Sequence, residues 1–206
     1  MMQIRMYSST ILQVLLIFLL FSGCGMRSNP QKNSDNSDDL EHFKTLGDKI
    51  VTETFSVFSG HLKTALEEGG VRSAVQYCSI KAIPLTDSLA REYGVSIRRV
   101  SDKYRNPDNK PNEIESDVLE SFKIQMKDQQ VIAPVIKEID NYHIAYFAPI
   151  IMLPQCLQCH GKLGETLKRD DYSYLIGLYP EDQAIGYKTG DLRGLWSIVD
   201  NNSSEF

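Results

Sequence analysis

The sequence is short of the features that mark several simple functional classes. It has no excess of positive charge: 22 Lys and Arg against 27 Asp and Glu give a formal net charge of −5, which argues against a nucleic-acid footprint. No apolar run exceeds Ile11 to Phe21. At about 1.5 Å per residue such a run falls well short of a hydrocarbon core about 30 Å thick, so neither a spanning helix nor a polytopic membrane protein is indicated. Cysteine is scarce, at four residues, and 13 Gly and 8 Pro are spread through 206 positions without a period. A disulfide-dense scaffold, a collagen-like chain and a low-complexity chain are thereby set aside. No internal repeat is visible, and no His/Arg pair is spaced for peroxidase-type catalysis, so an enzyme is not expected. What is present, 42% hydrophobic and 24% charged residues, is the balance of a folded chain with one sizeable core.

The first residues read as an export signal. Arg5 lies in a short leader, the apolar run follows, and Ser22 and Gly23 precede Cys24. Leu20-Phe21-Ser22-Gly23-Cys24 resembles a bacterial lipobox, with Phe21 departing from the usual Leu; the alternatives are an ordinary cleaved signal or an uncleaved anchor. The expected division is a lipoprotein signal peptide at 1–23, a lipidated Cys24 opening a flexible tether at 24–40, and a folded domain at 41–206. Such a protein sits on the periplasmic side of a bacterial membrane, held by its lipid. The tether reading rests on the Ser, Asn and Asp content of Gly25 to Asp39.

Phe43, Leu46, Ile50, Phe58 and Leu62 recur at helical spacing and predict a helix over about 41–68, ended by Gly69-Gly70. A second helix follows from Val71 with Ala74, Val75, Cys78 and Ala82 on one face, broken or restarted at Pro84 and closed by Gly94. Val95 to Val100 alternates as a strand, a Pro/Asn loop follows at 106–111, and a helix is expected over about 115–127. Apolar segments at 131–139, 142–151, 173–179 and 195–199 read as strands of an antiparallel sheet. The fold class is α+β, with helices mostly first and strands mostly last.

The chemistry centres on Cys156-Leu157-Gln158-Cys159-His160. A C-x-x-C-H run places two thiols where both can add to the vinyl groups of one haem, with the adjacent imidazole as iron ligand, and covalent attachment of haem c takes place outside the cytoplasm, where the leader would deliver the chain. A disulfide or a thioredoxin-type thiol pair is the competing reading, but no βαβ pattern surrounds the motif. With Cys24 assigned to lipid, Cys78 is left over. It is either a buried small hydrophobe or the second axial ligand of the iron. His143 is the substitute ligand, while His42 and His61 read as solvated or hydrogen-bonded, and Met152 as pocket lining. Arg99, Lys103 and Arg105 form a basic cluster in which Arg99 and Arg105 would pair with haem propionates, a solvated loop being the alternative. Trp196 and the Gly190 to Gly194 turn read as structural.

Ala74-Val75-Gln76-Tyr77-Cys78, Arg99-Val100-Ser101, Tyr104-Arg105-Asn106-Pro107-Asp108-Asn109, Cys156-Leu157-Gln158-Cys159-His160-Gly161, Tyr179-Pro180-Glu181-Asp182, Gly186-Tyr187 and Gly190-Asp191-Leu192-Arg193-Gly194 occur in that order. Over about residues 42–200 the chain resembles a bacterial family of c-type haem sensor domains, found alone or as the extracytoplasmic part of signalling proteins. The resemblance implies a PAS-like antiparallel sheet with N-terminal helices, and one covalent haem c ligated by His160 and by Cys78. A thiolate and an imidazole would leave the iron six-coordinate with a low reduction potential, and loss of the sulfur on reduction would open a position for CO or NO. The expected function is redox or diatomic-gas sensing, passed to a signalling or redox protein partner; the alternative is a monohaem electron carrier.

Overall fold

The computed structural model describes residues 31–140 and 143–201, with side chains from residue 38 onward. Cys24, the expected signal peptide and the first part of the expected tether lie outside the described residues. The compact body begins at Asn36.

Its first element is α1 (Gln31–Tyr93), which is interrupted by non-helical backbone at Gly69 and Gly70. Gly70, at φ 65° and ψ −157°, occupies a region that a side chain disfavours strongly. The two arms double back along each other: Tyr93 donates to Glu53, Lys49 lies over the Tyr93 ring, and His61 stacks on Tyr77 with ring centroids 5.5 Å apart. The two expected helices are thus observed, but with two differences. The helix is already running at Gln31, so residues 31–40, read as tether, are helical; once downstream turns supply a nucleus, polar residues extend a helix at little cost. The expected break at Pro84 does not occur, and the second arm continues to Tyr93.

The remaining elements are β1 (Val95–Val100), α2 (Glu113–Lys127), β2 (Val135–Glu138), β3 (Ile144–Ile151), the single turn α3 (Leu157–His160), α4 (Arg169–Leu178) and β4 (Leu192–Asp200), with 3-10 turns at Pro107–Asn109 and Pro154–Cys156. The 173–179 strand is a correction: that segment belongs to α4, with Asp170 and Asp171 in its first turn and Leu175 as its buried anchor. A short run of Tyr, Leu and Ile satisfies strand and helix patterns alike, and the acidic first turn, favourable at a helix N-terminus, is the local signal for helix.

The four strands form one antiparallel sheet in the order β1-β4-β3-β2, an α+β arrangement with a PAS-like fold. Strand alternation separates two cores. Ile144, Tyr146 and Ala148 of β3 join Ile97, Trp196 and Ile198 against Phe43, Ile50 and Leu89 of α1, whereas Ala145 and Phe147 join Leu195 and Val100 against Val118, Leu119 and Phe122 of α2. α2 begins with a capping box in which Asn112 and Glu115 exchange hydrogen bonds, and the buried Glu115 carboxylate also accepts from Arg98. Among the described residues no helix is long and apolar enough to cross a membrane.

Candidate functional site

β1 and β3 finish, and β4 starts, at the same end of the sheet, as the pairs Val100 with Leu195 and Ile150 with Gly194 show. Three connections therefore gather there: residues 101–105 after β1, the motif segment after β3, and the strap that returns to β4. Pro154–Cys156 forms a 3-10 turn that runs directly into α3, so Cys156, Cys159 and His160 lie on one short helical stretch. Gly161 ends it, and a Cβ there would overlap the Thr166 side chain and the Leu157 carbonyl. The strap is tied back across the site: the amides of Gly186 and Tyr187 donate to the carbonyls of Gly161 and His160 at 2.9 and 3.0 Å, and that of Gln183 donates to Tyr104 at 3.0 Å.

His160 Nδ1 lies 2.8 Å from the carbonyl oxygen of Ala184. A carbonyl only accepts, so Nδ1 carries the proton and Nε2 keeps its lone pair, the state of an imidazole ready to bind a metal. Burial holds the His160 pKa well below its usual range, the charges of Arg105 and Arg193 push the same way, and the bond to Ala184 opposes them. The ring stands edge-on to Tyr187, with centroids 6.3 Å apart. Met152, Ala184 and Tyr187 make a small buried cluster against which Cys156 and Leu157 pack.

Cys78, Cys156 and Cys159 are all free thiols. The structure thus does not join Cys156 to Cys159. Cys78, on the second arm of α1, comes within electrostatic range of the motif. Burial pushes its thiol pKa up while Arg99 and Arg105 pull it down, and its charge is felt in turn by Cys159, whose own pKa burial pushes up to about 11. Among the described residues no three His, Cys, Asp or Glu side chains are grouped to hold a bare metal ion.

The two predicted arginines differ. Arg99 lies over the rings of Phe58 and Trp196, 4.5 and 5.6 Å from their centroids, and burial lowers its pKa. Arg105 is committed to protein acceptors: Nε donates to Asp182 at 3.0 Å, and Nη2 to the Cys159 carbonyl at 2.6 Å and to the Ala184 carbonyl at 3.3 Å. Through these bonds Arg105 also holds the motif backbone, a role not read from the sequence. Three residues were not anticipated in these roles. Asp182 and Arg193, which donates to the Lys103 carbonyl and lies over Tyr187, stand in motifs quoted for the resemblance but without a role, and Ala184 carries no local pattern that marks it. His143 sits apart, bonded to Asp140 at 2.9 Å, and His61 is engaged with Tyr77. His42 is exposed. Trp196 is a core residue, as expected.

A family model described as Tll0287-like matches residues 4–199. A structure described as the crystal structure of the cyanobacterial heme-protein Tll0287 superimposes with a TM-score of 0.53 at 22% identity, covering 87% of this chain and 99% of that one. No curated protein matches.

Proposed function

The chain belongs to the Tll0287-like family, and from that premise we propose that it is an exported, lipid-anchored protein that carries one covalent haem c and acts as a redox or diatomic-gas sensor rather than as an enzyme. The observation that carries this reading is the bond from His160 Nδ1 to the Ala184 carbonyl, which commits the motif imidazole to the tautomer that ligates through Nε2. Haem bound at such a site would be held by Cys156, Cys159, His160 and Cys78 and would supply a redox-active iron.

Each residue then has a task. Cys156 and Cys159, free thiols one helical turn apart, are the thioether anchors, and His160 is the proximal ligand. Cys78 is the second ligand. Burial keeps its thiol protonated when no metal is present, and the neighbouring guanidinium groups of Arg99 and Arg105 favour the thiolate once iron competes for the sulfur. Arg99, stacked on two rings with no carboxylate partner in the described structure, offers its charge to a propionate. Cys24 carries the lipid that holds the protein on the periplasmic side of the membrane, and a separate signalling or redox protein reads the change.

The test compares ferric and dithionite-reduced absorption spectra of protein exported from a host with c-type haem maturation, for the native chain and for Cys78→Ser. A low-spin ferric spectrum that is lost in the variant, with CO binding only after reduction, is the expected result. A variant spectrum identical to the native one removes Cys78 from the iron. Ligands unchanged between oxidation states, together with reduced protein inert to CO, would replace sensing by simple electron transfer.

A further inference from the structure

Arg105 and Asp182 form the most enclosed ion pair of the described residues, with 13% and 0% of their side chains exposed. The pair spans 77 residues and touches the motif histidine at neither end. Its bonds nevertheless gather around one residue, Ala184. Asp182 Oδ1 accepts from the Ala184 amide at 2.9 Å as well as from Arg105 Nε, and Arg105 Nη2 reaches the Ala184 carbonyl and the Cys159 carbonyl. Ala184 is thus held at its amide by the carboxylate and at its carbonyl by the guanidinium, and that carbonyl is the one that accepts the hydrogen bond from His160 Nδ1. The same Arg105 nitrogen holds the last turn before His160 through Cys159. Two backbone segments that must keep a fixed separation for the imidazole bond to exist are therefore clasped by a single buried pair.

We infer that Arg105 and Asp182 are positioning residues that set the orientation and tautomer of His160 by fixing the Ala184 carbonyl relative to the Cys156-to-His160 turn. The inference rests on the reading of His160 as the haem ligand, and it assigns Arg105 to the protein scaffold and leaves the propionate role to Arg99. It also explains why an aspartate is present rather than a neutral acceptor: Asp182 must accept from two donors at once while compensating a buried guanidinium.

The experiment uses the holoprotein and separates geometry from charge. Asp182→Asn and Asp182→Ala remove the same negative charge, but only Asn keeps an oxygen for the Ala184 amide. If the pair positions the carbonyl, Asp182→Ala raises the midpoint potential, because a weaker Nδ1 bond leaves the imidazole a poorer donor to ferric iron, and Asp182→Asn shifts it distinctly less. Arg105→Gln shifts the potential in the same direction as Asp182→Ala, although it removes the opposite charge. Equal shifts for the two Asp182 variants, or opposite signs for Asp182→Ala and Arg105→Gln, would leave only a through-space charge effect and overturn the inference. Amide hydrogen exchange at Gly186 and Tyr187 is read in parallel: acceleration of about tenfold or more in Asp182→Ala with little change in Asp182→Asn supports the clasp, and unchanged protection in both refutes it. The exchange arm does not depend on iron. If the native chain took up no haem, the proposed function would fail while the clasp would still be decided.

Discussion

The sheet core and the site at its end are stabilised by different physics. In the core, β3 is buried on both faces, with Ile144, Tyr146 and Ala148 against α1 and Ala145 and Phe147 against α2, and it is held by apolar area. At the site the buried apolar cluster is small, Met152, Ala184 and Tyr187, and the segments are held by backbone bonds and by a buried ion pair, beside three free thiols and an arginine stacked on two rings. The first region is complete in itself. The second gathers thiol, imidazole and guanidinium groups on segments tied by polar bonds, so packing and site chemistry rest on different residues.

That separation is open to test, and the largest effect should come from the motif. Replacing Cys156 and Cys159 together by Ser is expected to abolish covalent retention of haem, measured as chromophore that stays with the chain after acid denaturation and extraction, while far-UV circular dichroism of the sheet stays near native. Loss of the sheet signal in this variant would show that the two regions do not fold independently. Next in size is a truncation on the other side of the comparison. Phe147→Ala opens a cavity between β3 and α2 and should cost about 3–5 kcal/mol in urea unfolding, with the axial-ligand spectrum of surviving folded protein unchanged. A spectrum that shifts with this substitution would mean that core packing sets the site geometry.

The smallest effect concerns the link between them. Asp102, just after β1, is held to Lys123 of α2 by a 2.8 Å ion pair between half-exposed groups. Burial works against the Asp102 charge, but the hydrogen bond and attraction of Lys123 outweigh it, so its pKa lies below the ordinary carboxylate value. A carboxylate with a depressed folded pKa contributes stability that is present above its unfolded pKa and is lost as pH falls through the folded one. Lys123→Gln should therefore cost a few tenths of a kcal/mol, reduced by salt, at neutral pH, and the difference from native should vanish on acidification through the carboxylate range. A gap that persists at low pH would point to the Lys123 stem packing rather than to the charge.

Much of this molecule is legible in the amino-acid sequence because its signals are local. The Gly69-Gly70 break, the alternation of Val95 to Val100, the helix of α2 and the C-x-x-C-H turn each depend on residues within one or two turns or one strand. The segment of α4 reads as a strand because a short mixed aromatic and aliphatic run carries no distinguishing period, and the extension of α1 to Gln31 is not legible because polar residues inherit helix from their neighbours.

The sequence alone therefore determined that the chain would be α+β with two helical arms before a sheet, and that Cys156, Cys159 and His160 would share one turn. Tertiary structure decided that Cys78 comes within electrostatic range of that turn, that Arg105 donates to Asp182 and to two backbone carbonyls, and that His160 Nδ1 faces the Ala184 carbonyl. The reason is one of range. Periods of 2 and 3.6 residues act over a few neighbours, whereas a buried charge must find its partner wherever the sheet order brings the chain back, here 77 residues away.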